Sequence, residues 1–409
     1  MFEYFTPVAG LIGGVLIGLA AAALLLFNGD VLGASGLMSS FVVSPRATLT
    51  GPEQRWKLWF VLALFGATRM YLLIDPTALD DSRTVTDADV PVVSSTGYLL
   101  GGFLVGFGTR LGNGCTTGHG ICGMARLSLR STAGVLSFML SGVLLASVLP
   151  PDNKTFRCHT EEVYDQLNEA TPATNGAVFG IAAVVAAFSL HGLRPRRRPK
   201  GNAEEGALAE QDEDEATRID NNNRNKIYAA VVAGILFAVG LMVSGMVIYS
   251  KLFGFLDVTL IPKGTWDPTL VVVMGGGVVV SFASYQFVDG FNLITNEHKL
   301  SCPISQSPPQ GAFHVPTNKT IDLKLIAGEL IFGLGWGMAG LCPGPAIVRA
   351  ASGCPAALTR WWPMFFLGAL VAEQAKKQPA RFQSPVMREE TSDMKMCETY
   401  EDSNEEGIR

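Results

Sequence analysis

Apolar residues along this chain gather into long runs with little or no charge, at 8–27, 58–74, 131–149, 174–190, 227–250 and 269–287. Each is long enough to cross a hydrocarbon core of about 30 Å as a helix. Two further runs, 97–111 and 325–348, are interrupted by Gly and Pro, the pattern of a helix that breaks inside a membrane. A last run, 361–372, is short for a full crossing. The pattern predicts an all-α, polytopic integral membrane bundle of eight or nine hydrophobic helices, some broken or re-entrant.

Composition agrees. Of 409 residues, 48% are hydrophobic and 16% charged, against about a quarter charged in a typical soluble protein. The 45 glycines suit close helix packing and irregular backbone lining a cavity. A net charge of -5 without a basic patch gives no sign of a nucleic-acid partner. The run at 8–27 follows an acidic start and exceeds an ordinary signal-peptide core, so it reads as a span.

Charge sets an expected topology. Between Gly192 and Lys226 lies a polar linker with Arg194, Arg196, Arg197, Arg198 and Lys200, then an acidic patch. The positive-inside rule places it in the cytoplasm with Arg46, Arg55 and Lys57, and the acidic segment 75–89 opposite. The expected organisation is a first membrane unit at 1–191, a linker at 192–225, a second membrane unit at 226–375 and a polar, disordered, cytoplasmic tail at 376–409.

The two interrupted runs match each other. Gly106-x-Gly108 precedes Cys115 at the spacing by which Gly333-x-Gly335 precedes Cys342. With alternating crossings, one unit approaches its cysteine from outside and the other from inside. That is an inverted repeat, which places a substrate site at the repeat interface near the midplane. The small and polar residues from Gly112 to Gly118 cannot continue a lipid-exposed helix, and the backbone around such a break forms an anion cradle. Pro343 and Pro345 place Cys342 at the end of a half-helix.

The stretches GCTTGHGICGMARLSLRS from Gly114 and GWGMAGLCPGPA from Gly335 resemble the YeeE/YedE (sulfur-transport domain) membrane proteins, which include bacterial thiosulfate uptake transporters. A third stretch, GILFAVGLMVSGM from Gly234, leads to FGFLDV and to the Trp266-Asp267-Pro268 triplet, and looks like the partner of paired members. The chain is similar to two small family proteins fused head to tail, apart from the linker and tail. The resemblance implies thiosulfate or a related reduced sulfur anion passing between Cys115 and Cys342, along a path with Gly114, Thr116, His119, Cys122 and Gly344. No cofactor or metal is expected. The partners implied are the anion, the lipid bilayer and a cytoplasmic sulfurtransferase docking at the inner mouth. The plasma membrane is the expected location, an organelle membrane the alternative.

Other readings compete. The seven cysteines form no CxxC pair, which disfavours a zinc site or disulfide scaffold. A membrane thiol enzyme, working through a persulfide or disulfide, would need an activated thiolate, and His119 could serve. A channel for water or neutral solutes leaves the cysteines unexplained. Cys354 reads as structural; Cys158, Cys302 and Cys397 read as incidental thiols. His119 is expected to satisfy backbone groups or to donate to an anion. Glu329 is a functional candidate as an isolated intramembrane acid, or a residue within snorkelling reach of the interface, and Arg69 carries the same ambiguity. Arg126 and Arg130 mark the cytoplasmic interface, with Arg126 able to draw anions to the exit. Trp336 and Trp361 read as packing residues or interfacial anchors.

Overall fold

A long helix that must stop inside the protein needs a residue that accepts the left-handed conformation, and among the described residues one is used in this way four times. The computed structural model describes residues 4–76, 78–79, 93–148, 207–288 and 313–377, with only the backbone of 207–222. Helix α1 (Pro7–Ala23) widens into a π-helical turn (Leu24–Asn28) and ends at Gly29, φ 76°. Helix α5 (Ser95–Gly112) ends at Asn113, φ 65°. Helix α7 (Ala207–Val243) is followed by Gly245, φ 71°, and α10 (Leu323–Ala339) by Gly340, φ 64°. Gly and Asn are the residues that enter this region at least cost.

Beyond each stop, an extended residue starts a shorter helical piece. Gly33 precedes α2 (Ala34–Val43), which α3 (Pro45–Thr50) follows; Cys115 precedes the π-helical segment Thr116–Gly123; Ile248 precedes α8 (Tyr249–Leu256); and Cys342 precedes α11 (Pro343–Ala351). A second long helix completes each unit: α4 (Trp56–Ile74), α6 (Leu129–Val148), α9 (Thr269–Tyr285), and the π-helical turn Ala357–Trp361 continued by α12 (Trp362–Lys377). The two breaks expected from sequence are therefore two of four. The apolar run 227–250 holds one helix long enough to cross, Asn223–Val243, which stops before Gly245, and its last residues belong to the break and α8.

Close approaches between glycines fix how the units pair. Gly13 lies against Ser244 and Gly240, and Ile17 against Gly240, so α1 and α7 are antiparallel. Gly101 meets Gly335 and Ala339 while Gly108 meets Gly328 and Phe332, so α5 and α10 are antiparallel too. Thus the first unit packs on the third and the second on the fourth, each pair inverted. Gly14 sits on the main chain of Val273 in α9, and Gly106 on that of Phe365 in α12.

Five described segments are long and apolar enough to span a membrane: Pro7–Asn28, Trp56–Ile74, Leu129–Val148, Asn223–Val243 and the interrupted Leu323–Ala351. The molecule is an all-α, multi-pass integral membrane bundle, as the hydrophobic pattern predicts. The predicted span at 174–190 lies outside the described residues, as do nearly all of 75–89 and the tail beyond Lys377. Part of the predicted linker is helical: α7 begins at Ala207, in a run rich in Ala and Glu that favours helix. Contacts gather the described residues up to Ala372 into one compact unit.

A buried ion pair ties the start of the chain to the third unit. Lys251 Nζ donates to Asp267 Oδ2 at 3.0 Å, to the Tyr4 carbonyl and to Thr6 Oγ1. Asp267 also accepts from the Thr269 N–H at the start of α9. With both charges multiply hydrogen-bonded, this pair avoids the usual cost of burial. Trp266 Nε1 donates to the Phe255 carbonyl, so the Trp-Asp-Pro triplet serves architecture.

Gly106→Ala should be destabilising by about 1–3 kcal/mol, because the new methyl meets the Phe365 main chain and not a side chain that can turn away. Gly66→Ala, where a Cβ meets nothing within 4 Å, should be neutral or stabilise α4 by up to about 1 kcal/mol. Thermal unfolding of the purified variants, followed by size-exclusion chromatography, checks both.

Candidate functional site

The breaks of the first, second and fourth units meet in one cluster of hydroxyls and thiols. Thr117 Oγ1 accepts from the Ala34 N–H at 3.1 Å, occupying a donor at the start of α2, and lies 3.2 Å from Cys115 Sγ. Thr116 Oγ1 donates to Cys342 Sγ at 3.5 Å. Cys115 and Cys342 are 0% and 3% exposed, and both are free thiols. The structure thus brings the two sequence-matched cysteines to neighbouring threonines on one turn.

Above the cluster lies a cavity of about 360 Å³ between the two inverted pairs. Thr116, Thr117 and Cys342 form its polar end, while Met124, Met139, Met246 and Met274 contribute thioethers to an otherwise apolar wall. Met246 belongs to the third break, so the second, third and fourth breaks all contribute to the lining. Thioether sulfur is polarizable and adaptable, but such a wall carries no charge to hold an anion. Polar recognition is confined to the Thr–Cys end.

The Pro-Gly-Pro sequence explains the Cys342 turn. Neither Pro343 nor Pro345 carries an N–H, so Gly344 alone supplies a main-chain donor there, and its N–H lies within reach of the Cys342 sulfur. On its other side Gly344 meets Phe237 and Leu241. Gly114 is needed for a different reason, because a Cβ there would strike the His119 ring.

His119 points away from the cavity. Its Nδ1 lies 3.2 Å from Ser131 Oγ, and its Nε2 lies 3.4 Å from the Gly112 carbonyl and 3.3 Å from Glu329 Oε1. It satisfies the backbone, as sequence suggested, but also pairs with Glu329, which the sequence reading did not connect to it. Glu329 is 0% exposed, so it does not snorkel. Cys122 also turns aside, its thiol donating to the Leu32 carbonyl at 3.4 Å and so tying the second break to the first.

The arginines hold a strap. The extended segment 313–322 is anchored at one end by the His314 N–H donating to the Gly29 carbonyl and by His314 Nδ1 lying 3.3 Å from Asp30 Oδ1. Arg126 donates to the Pro316 carbonyl, and Arg130 to the Thr320 carbonyl and to Asp322 Oδ1. Asp322 starts α10 by accepting from the Leu325 N–H. Arg126 is therefore committed to the strap through Nη1. Arg69 is exposed, with its guanidinium beside Gly353. Trp336 stacks on Phe332 and meets Phe138 edge to face, and Trp361 stacks on Phe365, so both are packing residues.

Sequence reading missed Arg349, a cation on the fourth short helix. It is 3% exposed, donates from Nε to the Val247 carbonyl and lies 4.5 Å from the centre of the Tyr249 ring. Its position in the last turn of α11 suits the negative end of the helix dipole. Cys354 is buried just beyond α11, where its N–H donates to the Arg349 carbonyl.

Among the described residues, four helix–break–helix units in two inverted pairs surround a cavity in this membrane bundle. Residues 225–380 match a family described as "Family of unknown function (DUF6691)". A "Probable transporter" of Xylella fastidiosa (strain 9a5c) is 36% identical over 124 residues, covering 30% of this chain and 74% of the relative. A second "Probable transporter", from Xylella fastidiosa (strain Temecula1 / ATCC 700964), is 35% identical over 150 residues, covering 36% of this chain and 97% of the relative. The chain belongs to the family of these probable transporters.

The strap gives a pH dependence. The hydrogen bond to the Asp30 carboxylate raises His314 above the usual histidine range, with partial burial opposing it. A group raised on folding contributes its stability below its unfolded value, about 6.5, and loses it as pH rises through the raised folded value. Wild type should therefore melt above His314→Gln at about pH 6, with the gap narrowing by about pH 8.5. Melting curves of both proteins across this range check it.

Proposed function

We propose that this transporter carries thiosulfate or a related reduced sulfur anion, with Cys115, Thr116 and Cys342 forming the narrow contact point between its two inverted halves. The observation that supports this most is the convergence of Cys115, Thr117 and Ala34 with Thr116 and Cys342 at the polar end of the cavity. Thiols and hydroxyls are neutral donors, and a thiol is also polarizable. They suit a large, soft anion that must be released as readily as it is bound. The resemblance of both cysteine motifs to sulfur-transport proteins points the same way.

In this reading Gly114 and Gly344 let the backbone close around the path. Cys122 and His119 support the second break from behind it. The chain acts as two membrane units, 1–191 and 226–375, joined by the linker 192–225 and followed by the tail 376–409. A cytoplasmic sulfurtransferase would receive the anion at the inner mouth, and the plasma membrane is the proposed location.

Radiolabelled thiosulfate uptake by cells lacking their own sulfur importers tests the reading. Cys115→Ala and Cys342→Ala should each reduce uptake about tenfold or more at equal membrane expression, as expected for losing a hydrogen bond to a charged group. Serine at either position should retain part of the uptake, since its hydroxyl still donates. Cys122→Ala should cost less, because that thiol serves the Leu32 carbonyl. Normal uptake with both Cys115 and Cys342 changed to Ala rejects the path. A stable sulfur adduct on the wild-type thiol, together with complete loss in the serine variants, favours a thiol enzyme instead.

Selectivity offers a separate check. Sulfate is harder and more strongly hydrated than thiosulfate, so it loses more on leaving water for a site of neutral donors. Unlabelled thiosulfate should compete for uptake far better than unlabelled sulfate. Equal competition by the two anions argues against thiol-based recognition.

A further inference from the structure

The His119–Glu329 pair has no part in lining the cavity, yet it stands directly behind the turn that carries Cys115 and Thr116. The His119 N–H donates to the Cys115 carbonyl at 2.8 Å, so imidazole and thiol share one turn of backbone. His119 is 5% and Glu329 0% exposed. Among the described residues, neither carboxyl oxygen of Glu329 meets a well-directed hydrogen-bond donor, and its ion-pair partner is His119 Nε2, 3.3 Å away.

The space around the pair is made by glycine. A Cβ at Gly112 would strike the Glu329 carboxyl, and one at Gly134 would touch both Glu329 Cγ and the His119 ring. The other charged groups bearing on it are Arg130 from α6, which acts on Glu329 electrostatically, and Asp322, which is bound to Arg130. Ser131 Oγ and the Gly112 carbonyl complete its polar surroundings.

An ionised carboxylate so poorly supplied with donors is costly in the membrane interior. The pair lowers that cost by sharing a proton: either imidazolium with carboxylate, or imidazole with carboxylic acid, both of zero net charge. It can accept one more proton, becoming imidazolium with carboxylic acid at a net charge of +1. That charge would sit behind the Cys115 turn, where an anion held at Thr116 and Cys342 favours it. By reciprocity, whatever the anion adds to proton affinity, the proton adds to anion affinity.

We infer that His119 and Glu329 are a one-proton carrier loaded together with the anion, so that the protein is a proton–anion symporter. This rests on the reading of the Cys115–Cys342 path given above. The proton comes from water on the side from which the anion enters, and it returns to water on the other side when the anion leaves. No bond other than N–H or O–H is made or broken.

Wild-type protein in liposomes, with the membrane voltage clamped at zero, tests the carrier. An inward proton gradient should raise steady-state accumulation of labelled thiosulfate about tenfold per pH unit for one proton per anion. An internal pH dye should report acidification that requires added thiosulfate. Thiosulfate added to weakly buffered purified wild-type protein should also withdraw protons from solution, a measurement that needs no variant.

Glu329→Gln should abolish both the gradient response and the acidification while leaving exchange of labelled for unlabelled thiosulfate in place. His119→Gln examines the same carrier from its other member and should lose the same two signals. Wild-type uptake indifferent to the pH gradient overturns the symport. A full gradient response in either variant overturns the assignment to this pair. Absence of any thiosulfate uptake by wild type overturns instead the transport reading on which the symport depends.

Discussion

Helices that stop inside a membrane protein leave main-chain donors and acceptors that hydrocarbon cannot satisfy, and this molecule must answer that problem four times. Each answer has the same parts: a left-handed residue, an extended one, and a short helix that begins at once. The open groups are then taken up by neighbours, as when the Ala34 N–H is bound by Thr117 and the Leu32 carbonyl by the Cys122 thiol. Because the partners of one break lie on another, no break is complete alone. The centre of the molecule exists only when the units are assembled.

That mutual dependence explains what the sequence revealed. Long apolar runs declare themselves by composition, so membrane class and helix content were legible directly. The breaks at Asn113 and Gly340 were legible because cysteine and proline mark them. Those at Gly29 and Gly245 were hidden, since a single glycine in a Gly-rich apolar run looks the same whether it packs against a helix or ends one. The inversion was legible from the paired spacing before Cys115 and Cys342, and the contacts of α5 with α10 bear it out.

Partnerships across the fold were the least legible. His119 and Glu329 lie far apart in sequence, and nothing near either residue names the other. The same holds for Arg126 and Arg130, which read as interfacial charges but are fastened to backbone carbonyls of a later segment. Arg349 went unnoticed because one cation in an alanine-rich helix resembles a boundary marker. Its burial against Tyr249 depends on α8, which sequence alone did not separate from α7.

The strap along 313–322 makes the two ends of the molecule mechanically unequal. At the start of α10 the fourth unit is fastened to the first through Asp30 and Gly29, and to the second through Arg126 and Arg130. At the far end of α10, about 25 Å along a 17-residue helix, the contacts are the Tyr98 and Tyr249 hydroxyls at 2.7 Å, Arg349 over the Tyr249 ring and Arg349 Nε on the Val247 carbonyl. Both ends use arginine side chains on main-chain carbonyls, but the strapped end adds a direct main-chain tie, the His314 N–H on the Gly29 carbonyl. The body should therefore flex as a hinge with its pivot at the strapped end, opening wider at the tyrosine end. The two mouths would then open by different amounts, even though the halves that frame them are inverted copies.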